Sequence, residues 1–340
     1  LARALGVPAI VATGEDVDYA YDGKTAVIDG FSGTVYLEPT PGVLSVMKEK
    51  QDQSIRLKQL LQELKGVPSE TKDGRRIEVA ANVSSAADLA AVLKNDAEGI
   101  GLFRSEFIYM GRDTLPSEEE QFNIYKLAVE TMTGKRVIIR TLDIGGDKDA
   151  SAFHLPKEEN PALGMRAIRI SLKRPEIFKT QLRAILRASA FGKIAIMFPL
   201  ITSVWEVWKA KEILDEVKLD LDKKGIAYDH QIQIGIMIET PAAALISDKL
   251  AKEVDFFSIG TNDLSQYTLV VDRSSRVLSD FFNPHHPAVL KLIQMTIDNG
   301  HKAGIWVGMC GELSSDLSIT ETLRSSAPPA DPFHRSFKII

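Results

Sequence analysis

The sequence predicts an α/β protein whose main part is a parallel sheet closed as a (β/α)8, TIM-like barrel. From Ile77 onward, short apolar runs typical of buried strands alternate with longer amphipathic segments of helical period, over roughly 260 residues. No Gly-x-Gly-x-x-Gly motif opens a helix after the first run, which disfavours the doubly wound dinucleotide-binding alternative. The runs are IEVAANV (77–83), GIGLF (99–103), RVIIR (136–140), KIAIMF (193–198), IQIGIMI (232–238), VDFFSIG (254–260) and GIWVGM (304–309). A barrel needs one more strand than these.

The sequence that precedes the barrel predicts part of a small α/β domain, followed by a linker. Residues 1–41 contain a helix end, LARALG, and then three short strand-like stretches separated by Gly-rich turns. We expect this piece to be the tail of a small domain, because it is too short to fold alone. Apolar residues at helical spacing between Leu44 and Leu64 predict a linking helix, so residues 42–66 are assigned to the linker and 67–340 to the barrel.

The composition limits the function classes. The chain has 340 residues, of which 44% are apolar and 26% charged, with a net charge of −5. A weakly acidic chain argues against nucleic acid as the main partner, so an anionic ligand would have to be held by local cations. No apolar run reaches the length of a membrane span. The single cysteine, Cys310, excludes an internal disulfide and suits a reducing cytoplasm.

Polar side chains stand directly after five of the predicted strands, where the chemistry of parallel barrels is located. They are Arg104, Arg140, Glu239, Asn262 with Asp263 and Arg273 shortly beyond, and Cys310. Paired carboxylates without a histidine or thiolate cluster suit Mg2+, and arginines bind phosphate or carboxylate through two parallel hydrogen bonds. The set therefore indicates a compact, phosphorylated, highly anionic metabolite. The alternative is that Glu239 and Asp263 merely neutralise Arg104 and Arg140.

These motifs give the sequence a resemblance to a known family. It resembles enzyme I, the phosphoenolpyruvate-protein phosphotransferases of the bacterial sugar phosphotransferase system, among the PEP-utilising enzymes. The similar stretches are LARALGVPAIVATG, GIGLFRSEFIYM, RTLDIGGDK, ENPALGMRAIR, MIETPAAA, DFFSIGTNDLSQYTLVVDR and GMCGE, in the family's order from residue 1 to about Leu323. The Gln266–Tyr267 pair favours enzyme I over pyruvate phosphate dikinase and PEP synthase, which share the barrel.

The resemblance implies a role for each strand-end residue. Arg104, Arg140 and Arg273 would bind the phosphate and carboxylate of phosphoenolpyruvate (PEP), with a contact from Asn262. Glu239 and Asp263 would hold Mg2+, with Mn2+ as an alternative, and Asp263 would also approach the substrate through the metal. Cys310 would protonate the enolate carbon as pyruvate forms, since a thiol held beside cations is an acid near neutral pH. Lys148 and Arg166 match positions near the pocket.

The resemblance also implies a reaction and partners. The family transfers the phosphoryl group of PEP to a protein histidine and then to the carrier protein HPr, and it dimerises through the barrel. Residues 1–41 would be the end of its phosphohistidine domain. None of the six histidines lies in the family's Gly-rich Thr-Ser-His loop. We therefore expect this chain to bind PEP but to lack the acceptor histidine and the part that docks HPr.

Two alternatives remain open at this stage. The barrel could belong to a dikinase or synthase that also uses ATP, or it could be a non-catalytic module that senses PEP and dimerises. At the C-terminal end, residues 324–340 contain two consecutive prolines and no alternating apolar run, which argues against a central eighth strand.

Overall fold

The computed structural model describes residues 7–11, 13, 17, 19–70, 74, 76–145, 151–316 and 337–339. The chain divides into two compact units, Leu1–Val67 and Pro68–Ile340. Within the described residues, no helix is both long enough and apolar enough to cross a membrane.

The first unit contains a hairpin and a long helix. Strand β1 (Ala26–Asp29) pairs antiparallel with β2 (Thr34–Leu37), and helix α1 spans Pro41–Glu63. The helix begins where the sequence favours it: the Thr40 hydroxyl accepts the N–H of Val43 at 3.4 Å, and Pro41 occupies the first helical position. The segment predicted as a linking helix is thus helical.

The second unit is built from short strands alternating with helices. Its strands are β3 (Glu78–Val79), β4 (Ala81–Val83), β5 (Gly99–Arg104), β6 (Arg136–Arg140), β7 (Ile194–Phe198), β8 (Gln233–Ile238), β9 (Phe256–Gly260), β10 (Trp306–Cys310) and β11 (Phe337–Ile339). Its α-helices are α2 (Leu89–Lys94), α3 (Glu118–Thr131), α4 (Ile168–Lys173), α5 (Pro175–Ser189), α6 (Val204–Lys223), α7 (Pro241–Leu245), α8 (Ser247–Leu250), α9 (Thr261–Leu269) and α10 (Pro287–Lys302). Short 3-10 turns include Ser105–Ile108, Pro161–Leu163 and Glu312–Ser315.

All pairings in this sheet are parallel, and the sheet closes on itself. Strands β4 to β10 pair in chain order. Strand β11 pairs with β10 on one side and with β3 on the other. Because β3 and β4 are separated by Ala80 alone, they act as the two ends of one first strand, and the ring of pairings is complete. The predicted (β/α)8 architecture is confirmed.

The argument against an eighth strand is wrong. Phe337–Ile339 supplies it, and its three residues are too few to show the alternating apolar pattern that sequence analysis looks for. The prolines precede the strand in sequence and so remove none of its hydrogen bonds.

The described buried apolar side chains form two clusters, one on each side of the sheet. The larger cluster lies between the strands and the helices. The smaller cluster is the barrel interior: Leu102, Ile138, Ala195, Met197, Met237, Phe256 and Cys310. Side chains alternate along a strand, so positions two residues after an interior residue also face inward. This alternation turns the polar side chains at the carboxyl ends of the strands toward the barrel interior.

Candidate anion and metal site at the carboxyl ends of the strands

Inward-facing polar residues follow the interior apolar residues on three strands. Arg104 comes two residues after Leu102, Arg140 two after Ile138, and Glu239 two after Met237. Arg104 and Arg140 are direct partners in the register of β5 and β6. The same end of the barrel therefore carries two guanidinium groups on adjacent strands.

Arg140 is the most buried cation of the site, at 5% exposure. Its Nη2 donates to Oε1 of Glu106 at 2.6 Å and lies 2.9 Å from Oδ2 of Asp143. Burial alone would lower the pKa of Arg140, but the carboxylates of Asp143, Glu106 and Glu239 outweigh it and raise that pKa above its ordinary value. Its Nε is buried without a hydrogen-bond partner among the described residues. The side chain is a permanent cation with one donor still to be used by a ligand.

Arg166 joins the same polar cluster through Asp143. Its Nη2 lies 3.3 Å from Oδ1 of Asp143, whose other oxygen binds Arg140. Arg166 is itself 5% exposed, so one carboxylate bridges two buried guanidinium groups. Guanidinium groups bind phosphate and carboxylate through two parallel hydrogen bonds, so both residues are suited to an anionic ligand.

A buried polar network lies behind these strand ends and fixes them to each other. Ser105 donates its hydroxyl to the carbonyl oxygen of Arg140 at 2.7 Å, and Gln181 donates to the Ser105 hydroxyl at 2.9 Å. The Gln181 oxygen accepts the N–H of Leu142 at 2.9 Å. Satisfied buried networks of this kind are rigid, so the spacing between the ends of β5 and β6 is set by helix α5.

Glu239 is the buried carboxylate of the site, at 1% exposure. Its Oε1 accepts the backbone N–H of Leu200 at 2.6 Å, while Oε2 has no hydrogen-bond partner in the described part of the chain. Burial, followed by the charges of Asp263 and Asp143, raises the pKa of Glu239 to about 8, against the lowering effect of Arg140 and of the Leu200 bond. A buried carboxylate with an unused oxygen is a ligand position for a hard cation.

The loop after β9 supplies the second carboxylate and an amide. Asn262 and Asp263 are half-buried in the first turn of α9. The amide oxygen of Asn262 accepts the N–H of Glu312 at 2.9 Å, which connects this turn to the loop after β10. Gly311 between them has φ of 99°, and a Cβ there would collide with the Thr261 hydroxyl and the Asn262 amide. Only glycine allows these two loops to approach so closely.

Cys310 ends β10 and is 3% exposed. The hydroxyl of Ser258 lies 3.6 Å from its sulfur, and the thiol lies 3.5 Å from the carbonyl oxygen of Ile259. Burial raises the pKa of Cys310 to about 11; Glu239 adds to this rise, whereas Ser258, Arg140 and Arg104 oppose it. The expectation of a thiol that titrates near neutral pH is not confirmed, because burial outweighs the cations. The group is instead fully protonated at neutral pH, the state that a proton donor needs.

The remaining candidates are less closely tied to this cluster. The side chain of Arg104 is half-buried and makes no hydrogen bond or ion pair with a described residue. Arg273 is exposed; its backbone N–H donates to the Gln266 side chain at 3.2 Å, which anchors the turn after α9. Lys148 lies outside the described residues.

The residues present fit a hard divalent cation. The observations are the orphaned Oε2 of Glu239, the neighbouring charge of Asp263, and the glycine at position 260, where a Cβ would lie 3.1 Å from that Oε2. No three histidine, cysteine or carboxylate side chains within the described ranges form a metal-binding group by themselves. A cation held by Glu239 and Asp263 would therefore complete its shell with oxygens of substrate and water.

Sequence reasoning missed three groups that the structure brings into the site. Glu106 and Asp143 are the carboxylates on Arg140, and Leu200 supplies the N–H that binds Glu239. The two carboxylates stand two and three residues beyond a strand-end arginine, so reading further past each strand end would have found them. No sequence signal marks Leu200, because its contribution comes from its backbone.

The sequence is similar to a family of known proteins. The family profile described as PEP-utilising enzyme, PEP-binding domain, matches residues 58–326. The chain is 48% identical to the phosphoenolpyruvate-protein phosphotransferase of Staphylococcus carnosus over 323 residues, which are 95% of this chain and 56% of that protein. It is 49% identical to the Haemophilus influenzae protein of the same name over 320 residues (94% and 56%), and 48% identical to the Bacillus subtilis one over 316 residues (93% and 55%). The chain thus spans little more than half the length of these relatives.

Among solved structures, an aldolase/citrate lyase family protein from Burkholderia cenocepacia aligns with 84% of this chain and 91% of its own. The TM-score is 0.47 and the sequence identity is 13%.

Proposed function

Since the chain belongs to the family of PEP-utilising enzymes through its PEP-binding domain, we propose that it binds PEP and supplies the PEP-cleaving half of a phosphoryl transfer to a protein histidine. The relatives named phosphoenolpyruvate-protein phosphotransferase support this choice over the dikinase and the sensor alternatives. In the full reaction the phosphoryl group would pass on to HPr in the sugar phosphotransferase system, and pyruvate would be released.

The observation that carries the proposal concerns two buried side chains of opposite charge. Arg140 and Glu239 are both almost fully buried at the same end of the barrel, and each has one polar atom without a partner among the described residues. Buried polar atoms are nearly always satisfied in proteins, so an orphaned donor and an orphaned acceptor at the same end of the barrel indicate a ligand. A phosphate bound together with a divalent cation would satisfy both, because Arg140 would donate to the phosphate and Glu239 would hold the cation.

The protein residues would act mainly by position and charge. Phosphoryl transfer needs alignment and neutralisation of the phosphate oxygens more than covalent help, and guanidinium groups provide both. Arg140 and Arg104 would hold the phosphate, with Arg273 and Asn262 as further contacts. Cleavage of the bond between the enol oxygen and phosphorus leaves an enolate, whose carbon would take its proton from the Cys310 thiol.

We propose Mg2+ as the cofactor, with Mn2+ as a substitute, held by Glu239 and Asp263. The ion would neutralise phosphate charge and orient the substrate oxygens. Both ligands are carboxylates, a donor set that favours Mg2+ and Mn2+ over softer metals.

The acceptor and the partners follow from the relatives rather than from this site. We propose that the acceptor histidine and the surface that docks HPr belong to the portion of the relatives that this chain does not match. We also propose that the barrel forms a homodimer and that the protein acts in the cytoplasm, where its single free thiol at Cys310 is stable. Sedimentation showing only monomer at high concentration with saturating PEP and Mg2+ would remove the dimer.

Calorimetric titration tests the proposed function. PEP should bind in the presence of Mg2+ more tightly than inorganic phosphate or pyruvate, because it alone presents both a phosphate and a carboxylate to the site. Binding of PEP no tighter than that of phosphate would contradict the proposal, since the site would then recognise a generic anion.

A further inference from the structure

Of the Gln266–Tyr267 pair in the family motif, Gln266 anchors the turn before Arg273, whereas Tyr267 has no assigned role in the site. Tyr267 lies on α9, one turn after Asp263, and it is half-buried. Its hydroxyl donates to the carbonyl oxygen of Ala162 at 2.6 Å and accepts from Nη1 of Arg166 at 3.3 Å. A single hydroxyl therefore connects the helix that carries Asp263 to the segment that carries Arg166.

The contact closes a continuous polar chain across the mouth of the barrel. Tyr267 binds Arg166, Arg166 binds Asp143, and Asp143 binds Arg140, with contacts of 3.3, 3.3 and 2.9 Å. Each link uses a different atom of the group it joins: Arg166 offers Nη1 to the tyrosine and Nη2 to the carboxylate. Because a guanidinium group is planar and rigid, binding at Nη1 also fixes the direction of Nη2.

The backbone around Arg166 is fixed as well, which leaves the side chain as the part to be oriented. The N–H of Met165 donates to both carboxylate oxygens of Glu158, at 2.9 and 3.1 Å. Ala167 is fully buried with a left-handed φ of 51°, and its N–H donates to Ile144 at 2.8 Å. A non-glycine residue in this conformation is held there by its surroundings.

The geometry points to Tyr267 as a positioning residue: its hydroxyl orients Arg166 toward the bound phosphate or carboxylate of PEP and couples that guanidinium to the helix bearing Asp263. This inference rests on the proposed function, because the anion that Arg166 would meet is PEP. Burial and the nearby carboxylates raise the pKa of Tyr267 although Arg166 opposes them, so the hydroxyl keeps the proton that it donates to Ala162.

A double-mutant cycle with calorimetric PEP titrations in Mg2+ tests the inference. Tyr267→Phe keeps the ring and removes the hydroxyl; it should raise the Kd for PEP about three- to tenfold, the factor that corresponds to the loss of one typical hydrogen bond. Tyr109→Phe is the matched control, because its buried hydroxyl bonds to Gln121 at 2.8 Å rather than to an arginine, and its Kd should stay within about twofold of the parent value.

The cycle separates positioning from general packing. In an Arg166→Gln background, Tyr267→Phe should change the Kd by less than about twofold, since a residue that acts through Arg166 has nothing left to orient. If Arg166→Gln fails to fold, Arg166→Lys replaces it, because a single ammonium group does not span both Asp143 and Tyr267 as the guanidinium does.

The PEP affinities of these variants can contradict the positioning role in two ways. A parent-like Kd for Tyr267→Phe, or an equal loss of affinity in both backgrounds, overturns the positioning role while leaving PEP binding intact. Failure of the parent protein to bind PEP overturns the proposed function and the positioning role together.

Discussion

Leu200 donates its backbone N–H to Oε1 of Glu239 at 2.6 Å from a left-handed backbone conformation, with φ of 53°. A leucine in that conformation carries strain on the order of 1–3 kcal/mol, which the surrounding fold must offset. The bond occupies one carboxylate oxygen and leaves Oε2 without a partner among the described residues, next to Gly260, where a Cβ would lie 3.1 Å from it. The loop after β7 therefore decides which oxygen of Glu239 is available to a ligand.

Metal-free stability should depend on pH through Glu239. Its folded pKa of about 8 lies above the ordinary 4.5, so its contribution to the free energy of unfolding is fully present below pH 4.5 and is lost as pH rises through 8. The loss is at most about 1.4 kcal/mol for each pH unit in that window. Glu239→Gln cannot ionise, so in EDTA its stability relative to the parent should be higher at pH 8 than at pH 5.5.

Urea unfolding at the two pH values measures this difference, with Glu49→Gln on the exposed face of α1 as the control. An equal difference between Glu239→Gln and the parent at both pH values would show that Glu239 does not titrate in this range.

Arg140 should dominate PEP affinity. Arg140→Lys keeps the positive charge but removes the planar guanidinium group that binds an anion through two hydrogen bonds. Truncating one partner of a buried charge pair typically weakens binding by about 2–5 kcal/mol, and we expect the lower part of that range for lysine. Arg136→Lys is a matched control at the opposite end of the same strand, where the guanidinium lies 5.0 Å from the Trp306 ring. Calorimetry should show weaker PEP binding for Arg140→Lys alone. Equal losses of PEP affinity in the two variants would mean that any disturbance of β6 weakens binding, and that Arg140 has no special role.

PEP binding should require a divalent cation through Glu239 and Asp263. Removal of metal with EDTA leaves two carboxylates facing an anionic substrate, so affinity should fall at least about tenfold, and Mg2+ or Mn2+ should restore it whereas Zn2+ should not. Asp263→Asn should weaken the response to Mg2+. If EDTA leaves the Kd for PEP unchanged, the two carboxylates are structural.

Cys310 should exchange protons with the methyl group of pyruvate. A thiol that protonates the enolate carbon must, in reverse, remove a proton from pyruvate as the thiolate. Because the pKa of Cys310 is about 11, the thiolate fraction and hence the exchange rate should rise about tenfold per pH unit between pH 7 and 9. Loss of the pyruvate methyl signal in deuterated buffer, followed by NMR with Mg2+ present, measures the rate above the buffer background. Undiminished exchange in Cys310→Ala would assign the proton transfer to another group.

The sequence predicts the parts of the site that follow from strand period and residue type. Four residues were identified because each ends an apolar run, and strand alternation points its side chain into the barrel interior: Arg104, Arg140, Glu239 and Cys310. Glu106 and Asp143 were missed because they stand beyond the strands. There the geometry of the turn, and not the alternation of strand residues, decides which way a side chain points. Leu200 could not be found, since a backbone conformation has no residue-type signal. The closing strand Phe337–Ile339 was missed because three residues show no period.

The most direct test of the central claim is a thermal melt of this chain with and without PEP and Mg2+. The claim is that the carboxyl ends of these strands form a complete PEP-binding site. At a PEP concentration about 100 times the Kd, the folded state should gain about 2.7 kcal/mol if the unfolded chain does not bind. For a domain of this size that corresponds to a rise in Tm of several degrees, since about 1 kcal/mol moves Tm by about 2–4 °C. A rise in Tm with PEP and Mg2+ that pyruvate with Mg2+ does not reproduce is the predicted result. An unchanged Tm at millimolar PEP and Mg2+ would contradict the account.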